Sequence, residues 1–215
     1  MDLGLIYADD HLLILDKPAG LHAVPGRGED KQDCLSRRAQ ARFPDARIVH
    51  RLDRDTSGLM LMGRGAAAQR SLSIAFAQRQ VHKRYIAVVD GSPAAPAGED
   101  GWGRIELAIH LDWPNRPRRV IDPALGKPSV TRWRVLERLH TPAAATRVEL
   151  EPVTGRSHQL RVHLLAIGHP ILGDSLYAPP AALARADRLL LHAHELAFVH
   201  PATGETLRFA SPAPF

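Results

Sequence analysis

At 215 residues the chain has room for one ample domain or two small ones, and 45% hydrophobic residues allow a sizeable core. No apolar run approaches the roughly 20 residues of a membrane span. The N-terminus lacks the basic-then-apolar pattern of a secretory signal, and the single cysteine, Cys34, excludes an internal disulfide and argues against a thiolate zinc site. A formal charge of +5 and a pI near 9.9 favour a polyanionic partner such as nucleic acid, and these features together predict a cytoplasmic protein. Charge alone does not decide, because arginine greatly outnumbers lysine, a bias that GC-rich coding also produces.

Leu5-Ile6-Tyr7 and Leu12-Leu13-Ile14-Leu15 read as short strands around a polar turn. Asp16-Lys17-Pro18-Ala19-Gly20 breaks that pattern, and Pro25-Gly26-Arg27-Gly28 reads as a loop. Asp33 is placed to cap a helix that runs to about Phe43 and stops at Pro44. A second helix is expected over 66–80, with Leu72 and Phe76 one turn apart, followed by a strand over 83–90. The Pro-, Ala- and Gly-rich stretch 92–103 reads as a loop, with strands expected at 105–111, 132–136, 147–150 and 189–199. Between them, 157–167 is the strongest later helix, with Leu160, Leu164 and Ile167 on one face and Gly168 as its stop. Neighbouring strands without intervening helices predict an α+β fold with much antiparallel pairing.

The segment 47–64, Arg-Ile-Val-His-Arg-Leu-Asp-Arg-Asp-Thr-Ser-Gly-Leu-Met-Leu-Met-Gly-Arg, sets dense charge directly before an apolar run. Asp53 and Asp55 lie two apart, so in an extended segment both point to one side. Nearby arginines hold such a carboxylate ionised, and an ionised Asp on a rigid loop can act as nucleophile, base or metal ligand. The plainer reading is a solvated turn whose Arg–Asp pairs contribute at most about 1 kcal/mol each.

The order of residues carries more. His50-Arg51-Leu52-Asp53-Arg54-Asp55-Thr56-Ser57-Gly58 resembles the H-R-L-D-x-x-T-S-G signature of the RluA-type pseudouridine synthases. Lys83-Arg84-Tyr85 is similar to that family's K-x-Y strand, and Asp16-Lys17-Pro18-Ala19-Gly20-Leu21 to its D-K-P-x-G-L element. Thr154-Gly155-Arg156-Ser157-His158-Gln159-Leu160-Arg161-Val162-His163 resembles the segment T-G-R-x-H-Q-L-R-x-H, and Gly168-His169-Pro170-Ile171-Leu172-Gly173-Asp174 follows in the expected order.

The resemblance covers almost the whole chain. It implies one catalytic domain over 1–215, without the N-terminal S4 domain of many relatives. Its implied fold is a mixed, largely antiparallel sheet with helices and loops flanking a central catalytic cleft. The implied activity is isomerisation of uridine in structured RNA, with no cofactor and no metal. Asp53 takes the catalytic position, Arg161 is its expected counter-ion, and Tyr85 is expected to lie against the base. Extruding the uridine costs a few kcal/mol, and Arg51 is suited to fill the vacated space. His50, Leu52, Arg156, His158 and Leu160 are expected around the substrate. Asp55 is assigned to the loop or to a pair with Arg54.

Trp113 with Arg116, Arg118 and Arg119 forms an aromatic and basic cluster suited to an RNA stem, and Arg79, Lys83 and Arg84 would extend a phosphate track. The compact length and Leu111-Asp112-Trp113-Pro114-Asn115-Arg116-Pro117 look most like the dual-specificity members, which modify large-subunit (23S) ribosomal RNA and the anticodon stem-loop of certain tRNAs. A monomer is expected.

Three readings compete. Asp53-Arg54-Asp55-Thr56 superficially offers the D-x-D of a magnesium-dependent haloacid-dehalogenase-type phosphatase, but charged residues precede it and Ser57 stands where that motif wants Thr or Val. His158 with His163, or His192 with His194, invites a metal site, although the first pair is poorly spaced on a helix. A non-catalytic RNA-binding module would keep the arginines without needing Asp53, Tyr85 and Arg161 together.

Overall fold

The computed structural model describes residues 3–26, 28–140 and 143–215, so Arg27 of the expected 25–28 loop lies outside the described residues. Two compact units divide the chain, one of residues 1–83 with 192–214 and one of residues 84–191 with 215. In the first, β1 (Leu5–Ala8) and β2 (Leu12–Lys17) pair antiparallel. The Asp9 carboxylate shapes their turn by accepting the His11 and Leu12 N–H groups at 2.7 and 2.8 Å. α1 (Leu35–Arg42) starts one residue beyond the expected cap position: Cys34 occupies the N-cap, and Asp33 instead accepts from Arg38 Nε at 2.7 Å. β3 (Ala46–Ile48), not anticipated, leads through the charged loop to β4 (Ser57–Arg64). α2 (Gly65–Ala77) ends before the expected residue 80, where Arg79 takes a left-handed backbone at φ 61.

The second unit is built on β5 (His82–Asp90), β6 (Gly103–Glu106), β7 (Ile109–Leu111), β8 (Arg119–Ile121), β9 (Val130–Leu139) and β10 (Ala145–Pro152). The order β5-β10-β9-β6 is antiparallel throughout. The single strand expected over 105–111 is broken at Leu107-Ala108, because β6 pairs with β9 whereas β7 turns away to form a separate hairpin with β8. α3 (Gln159–Ala166) and the short α4 (Pro180–Leu183) follow. Alternating residues Ala87, Val89, Val148, Leu150, Ile105 and Trp133 face one side and pack with Leu160 and Leu164 of α3. The opposite side carries Arg84, Arg132, Arg134, Glu149 and Glu151 in ion pairs.

β11 (Leu191–Val199) returns the chain to the first unit and β12 (Thr206–Ala210) completes it. There β2 and β4, β3 and β4, and β11 and β12 pair antiparallel, while β4 and β11 pair in parallel through Ser57–His192 and Gly58–Ala193. β12 was not anticipated, although Leu207 and Phe209 alternate there and both pack on the core. Leu59, Met60, Leu61 and Met62 are at most 1% exposed, because β4 has neighbours on both edges and covered faces. Burying each such side chain contributes up to about 1.5–3 kcal/mol. The fold is α+β with largely antiparallel sheet, as the strand clustering predicts. No helix among the described residues is long and apolar enough to cross a membrane.

Candidate active site

Asp53 sits half-buried in the loop before β4, with Leu52 buried on one side and Arg54 exposed on the other, and Arg51 is exposed. The loop is anchored at several points. Lys17, wholly buried, donates to the carbonyls of Pro18, Leu21 and Arg54, each at 2.8 Å, so one ammonium ties the D-K-P element to the residue after Asp53. Arg54 Nε pairs with Asp55 at 3.0 Å, the local role expected of Asp55. Ser57 Oγ lies 2.8 Å from His192 Nδ1, and the opposite ring nitrogen faces the Ser211 carbonyl at 3.0 Å. A carbonyl only accepts, so Nε2 carries a proton, and Nδ1 shares a hydrogen bond with the Ser57 hydroxyl. Gly58 holds φ +107, and a Cβ there would stand 2.6 Å from the Ala193 nitrogen. Only glycine satisfies both conditions.

His50, expected near the substrate, is bound into the same scaffold. Its Nε2 accepts the Leu61 N–H at 2.9 Å, and its ring stacks on Phe76 at 4.4 Å. Burial pushes its pKa down to about 3, with the Lys83 charge adding to the effect, so the ring is neutral and able to accept. Lys83 lies 5.9 Å over the Phe76 ring, and burial lowers its own pKa. Thus the histidine of the signature and the lysine of the K-x-Y strand meet on one aromatic ring.

In the second unit, Tyr85 is half-buried against the core and Leu160 lies within it. α3 is buried nearly all round, and its polar residues are satisfied individually. Gln159 donates to the Val130 carbonyl at 2.9 Å and to Thr131 Oγ1 at 3.0 Å, and accepts from Thr154 Oγ1 at 2.7 Å. His163 is held between Thr131 Oγ1 at 2.9 Å and the Leu107 carbonyl at 3.2 Å, and burial lowers its pKa. Arg161 is 3% exposed and forms a bidentate pair with Asp174, Nε to Oδ2 at 2.7 Å and Nη2 to Oδ1 at 2.6 Å. Asp174 was quoted in its motif, but its partnership with Arg161 was not anticipated. The helix starts two residues after the expected 157 because His158 takes the left-handed conformation at φ 57. It ends as expected: Gly168, at φ +84, donates to the Leu165 carbonyl, and His169 donates to that of Leu164.

Of the basic residues, Arg116 is exposed with its guanidinium 4.3 Å over the exposed Trp113 ring, and Arg156 is exposed at the approach to α3. Arg118, also exposed, donates to the Leu176 carbonyl. Arg84 pairs with Glu149 at 3.3 Å and stacks 5.4 Å over Trp102, beside Arg132 and Arg134. These neutralising partners make it a part of the sheet's ion-pair lattice. The histidines that invited a metal site are engaged within the protein: His158 with Tyr177, His163 as above, and His192 and His194 with Ser211.

Residues 11–166 match the family model described as RNA pseudouridylate synthase. The chain is 46% identical over 99% of its length to the dual-specificity RNA pseudouridine synthase RluA of Escherichia coli K12, covering 94% of that protein. Identity to the protein of the same name from Haemophilus influenzae is 45%, with the same coverages. Among solved structures, human RNA pseudouridylate synthase domain containing 1 matches with a TM-score of 0.80 and 30% identity, over all of this chain and 86% of that one. A likeness that spans both units, the signature loop and α3 leaves one conclusion: the chain belongs to the RNA pseudouridylate synthase family.

Proposed function

We propose that this RNA pseudouridine synthase is dual-specific, modifying uridines in large-subunit ribosomal RNA and in tRNA anticodon stem-loops. The observation that carries this reading is the 46% identity over nearly the full length to a relative named for that specificity. In the isomerisation the bond from ribose C1′ to N1 breaks and a bond from C1′ to C5 forms. The C5 hydrogen leaves as a proton and N1 gains one, so the change is balanced without cofactor or metal.

Asp53 is the essential carboxylate, acting on ribose or base, and its anchored loop supports that role by restricting where the carboxylate can go. Arg161 sustains its charge, and Tyr85 supplies a flat wall with a hydroxyl for the uracil. Arg51 fills the space left by the flipped nucleotide. His50, Leu52, His158 and Leu160 shape the surroundings, and Arg116, Arg118 and Arg156 face RNA. The enzyme works in the cytoplasm as a monomer, from a single catalytic domain over 1–215. A phosphatase or a non-catalytic RNA module gains no support from the family.

Tritium release from transcripts labelled at uridine C5 tests the assignment. Wild type is expected to release tritium from both RNA classes, and Asp53→Asn from neither. Release by Asp53→Asn at the wild-type rate removes Asp53 from the chemistry, and release from one RNA class alone removes dual specificity.

A further inference from the structure

The hairpin of β7 and β8 is tied to the segment that follows α3. The Arg118 guanidinium donates to the Leu176 carbonyl, and the Arg119 backbone N–H donates to the Tyr177 hydroxyl at 2.8 Å. That hydroxyl also meets His158 Nδ1 at 2.7 Å, at the left-handed residue preceding the helix that bears Arg161. The Tyr177 ring lies 5.0 Å from the Arg161 guanidinium carbon. Asp174, fully buried, closes the circuit: its carboxylate holds Arg161 and accepts the Leu176 and Tyr177 N–H groups at 3.0 and 3.2 Å.

These contacts are contiguous and directional. A left-handed backbone at a non-glycine residue costs about 1–2 kcal/mol unless its surroundings hold it, and the Tyr177 hydroxyl is one such restraint on His158. The same oxygen accepts from the hairpin. Movement of the hairpin therefore reaches the start of α3 through this oxygen, beside the direct approach of β8 to α3, and reaches Arg161 through the ring and through Asp174.

We propose that Tyr177 is a positioning residue that makes the orientation of Arg161 depend on the seating of the 109–121 hairpin, so that an RNA stem gripped by the hairpin sets the rate of the chemical step and not only the affinity. The inference rests on the roles proposed above for Arg161 and the hairpin. It deepens them by giving the enzyme a way to favour a uridine presented on a structured stem over the same uridine in a loose strand.

The test is a double-mutant cycle on single-turnover tritium release from a saturating tRNA anticodon stem-loop transcript labelled at uridine C5. Tyr177→Phe keeps the ring over Arg161 and removes both hydroxyl contacts; Arg118→Ala removes the other tie, from an exposed position. Each is expected to lower the saturating rate about tenfold, the worth of one or two hydrogen bonds. The double variant should be no slower than the worse single one, with melting temperatures within a few degrees of wild type. A merely structural tyrosine lowers the melting temperature and leaves the saturating rate of folded enzyme unchanged, and that result overturns the proposal. Multiplying losses overturn it too, since the two ties would then act independently. Asp53→Asn, run alongside, separates the levels: activity surviving there defeats the assignment of the site, whereas its loss beside a wild-type rate for Tyr177→Phe defeats the positioning role alone.

Discussion

His50 and Lys17 both belong to motifs that point at the reaction, and both have side chains bound to backbone. Lys17 satisfies three carbonyls with its three donors in a fully buried site, a geometry in which a charged group stabilises by bracing rather than by reacting. His50 accepts one N–H from the central strand and must stay neutral to do so. Unfolded, its imidazole titrates near the ordinary 6.5, and folded near 3. The unfolded chain therefore takes up the proton first as pH falls. The stabilisation is complete above pH 6.5 and is lost progressively towards pH 3. The loss is at most a few kcal/mol, and less to the extent that solvent reaches the ring. Urea denaturation across this range should show a shallower acid decline for His50→Gln than for wild type. Parallel declines would place the titration on other groups, of which His163, also shifted down by burial, is the nearest in kind.

Strand β4 and helix α3 show how an element fixes the residues beside and within it. β4 is readable from its apolar run, but its precision comes from Gly58, where the backbone angle and the approach of β11 both forbid a side chain. Gly58→Ala combines left-handed strain with a backbone collision, and is expected to destabilise the fold by about 2–5 kcal/mol. Thermal and urea unfolding measure this directly, and a loss below about 1 kcal/mol would mean that β4 and β11 separate easily. For α3 the apolar stripe of Leu160, Leu164 and Ile167 was legible, and so was the Gly168 stop. The functions of Gln159 and His163 were not, because each is defined by partners on β9 or beside β6 that helical periodicity does not encode.

For the molecule as a whole, a charge of +5 drives RNA association only where arginines are unneutralised. Arg84, expected in the phosphate track, is paired with Glu149, as Arg132 and Arg134 are with Glu151 and Glu149, so the counter-ion release expected of Arg84 is already forgone. Arg116 stacks on an aromatic ring and keeps its charge exposed. Arg116→Ala should weaken stem-loop binding and reduce the slope of log K against log salt by about one, as for one lost phosphate contact. Binding titrations over a salt series check this, and an unchanged slope removes Arg116 from the RNA surface.

Period, turn chemistry and motif order are local, so the apolar strand after the charged loop, the helices α1, α2 and α3 and the candidate carboxylate Asp53 could be named from the linear chain. The bracing could not. Lys17 reaches Arg54 across 37 positions, His163 reaches Thr131 across 32, and Ser57 reaches His192 across 135. No residue in these pairs carries a mark of its partner, because a buried polar group is defined by whichever donor or acceptor the folded chain brings within about 3 Å. Folding, by closing those distances, turned a recognisable motif into a held one.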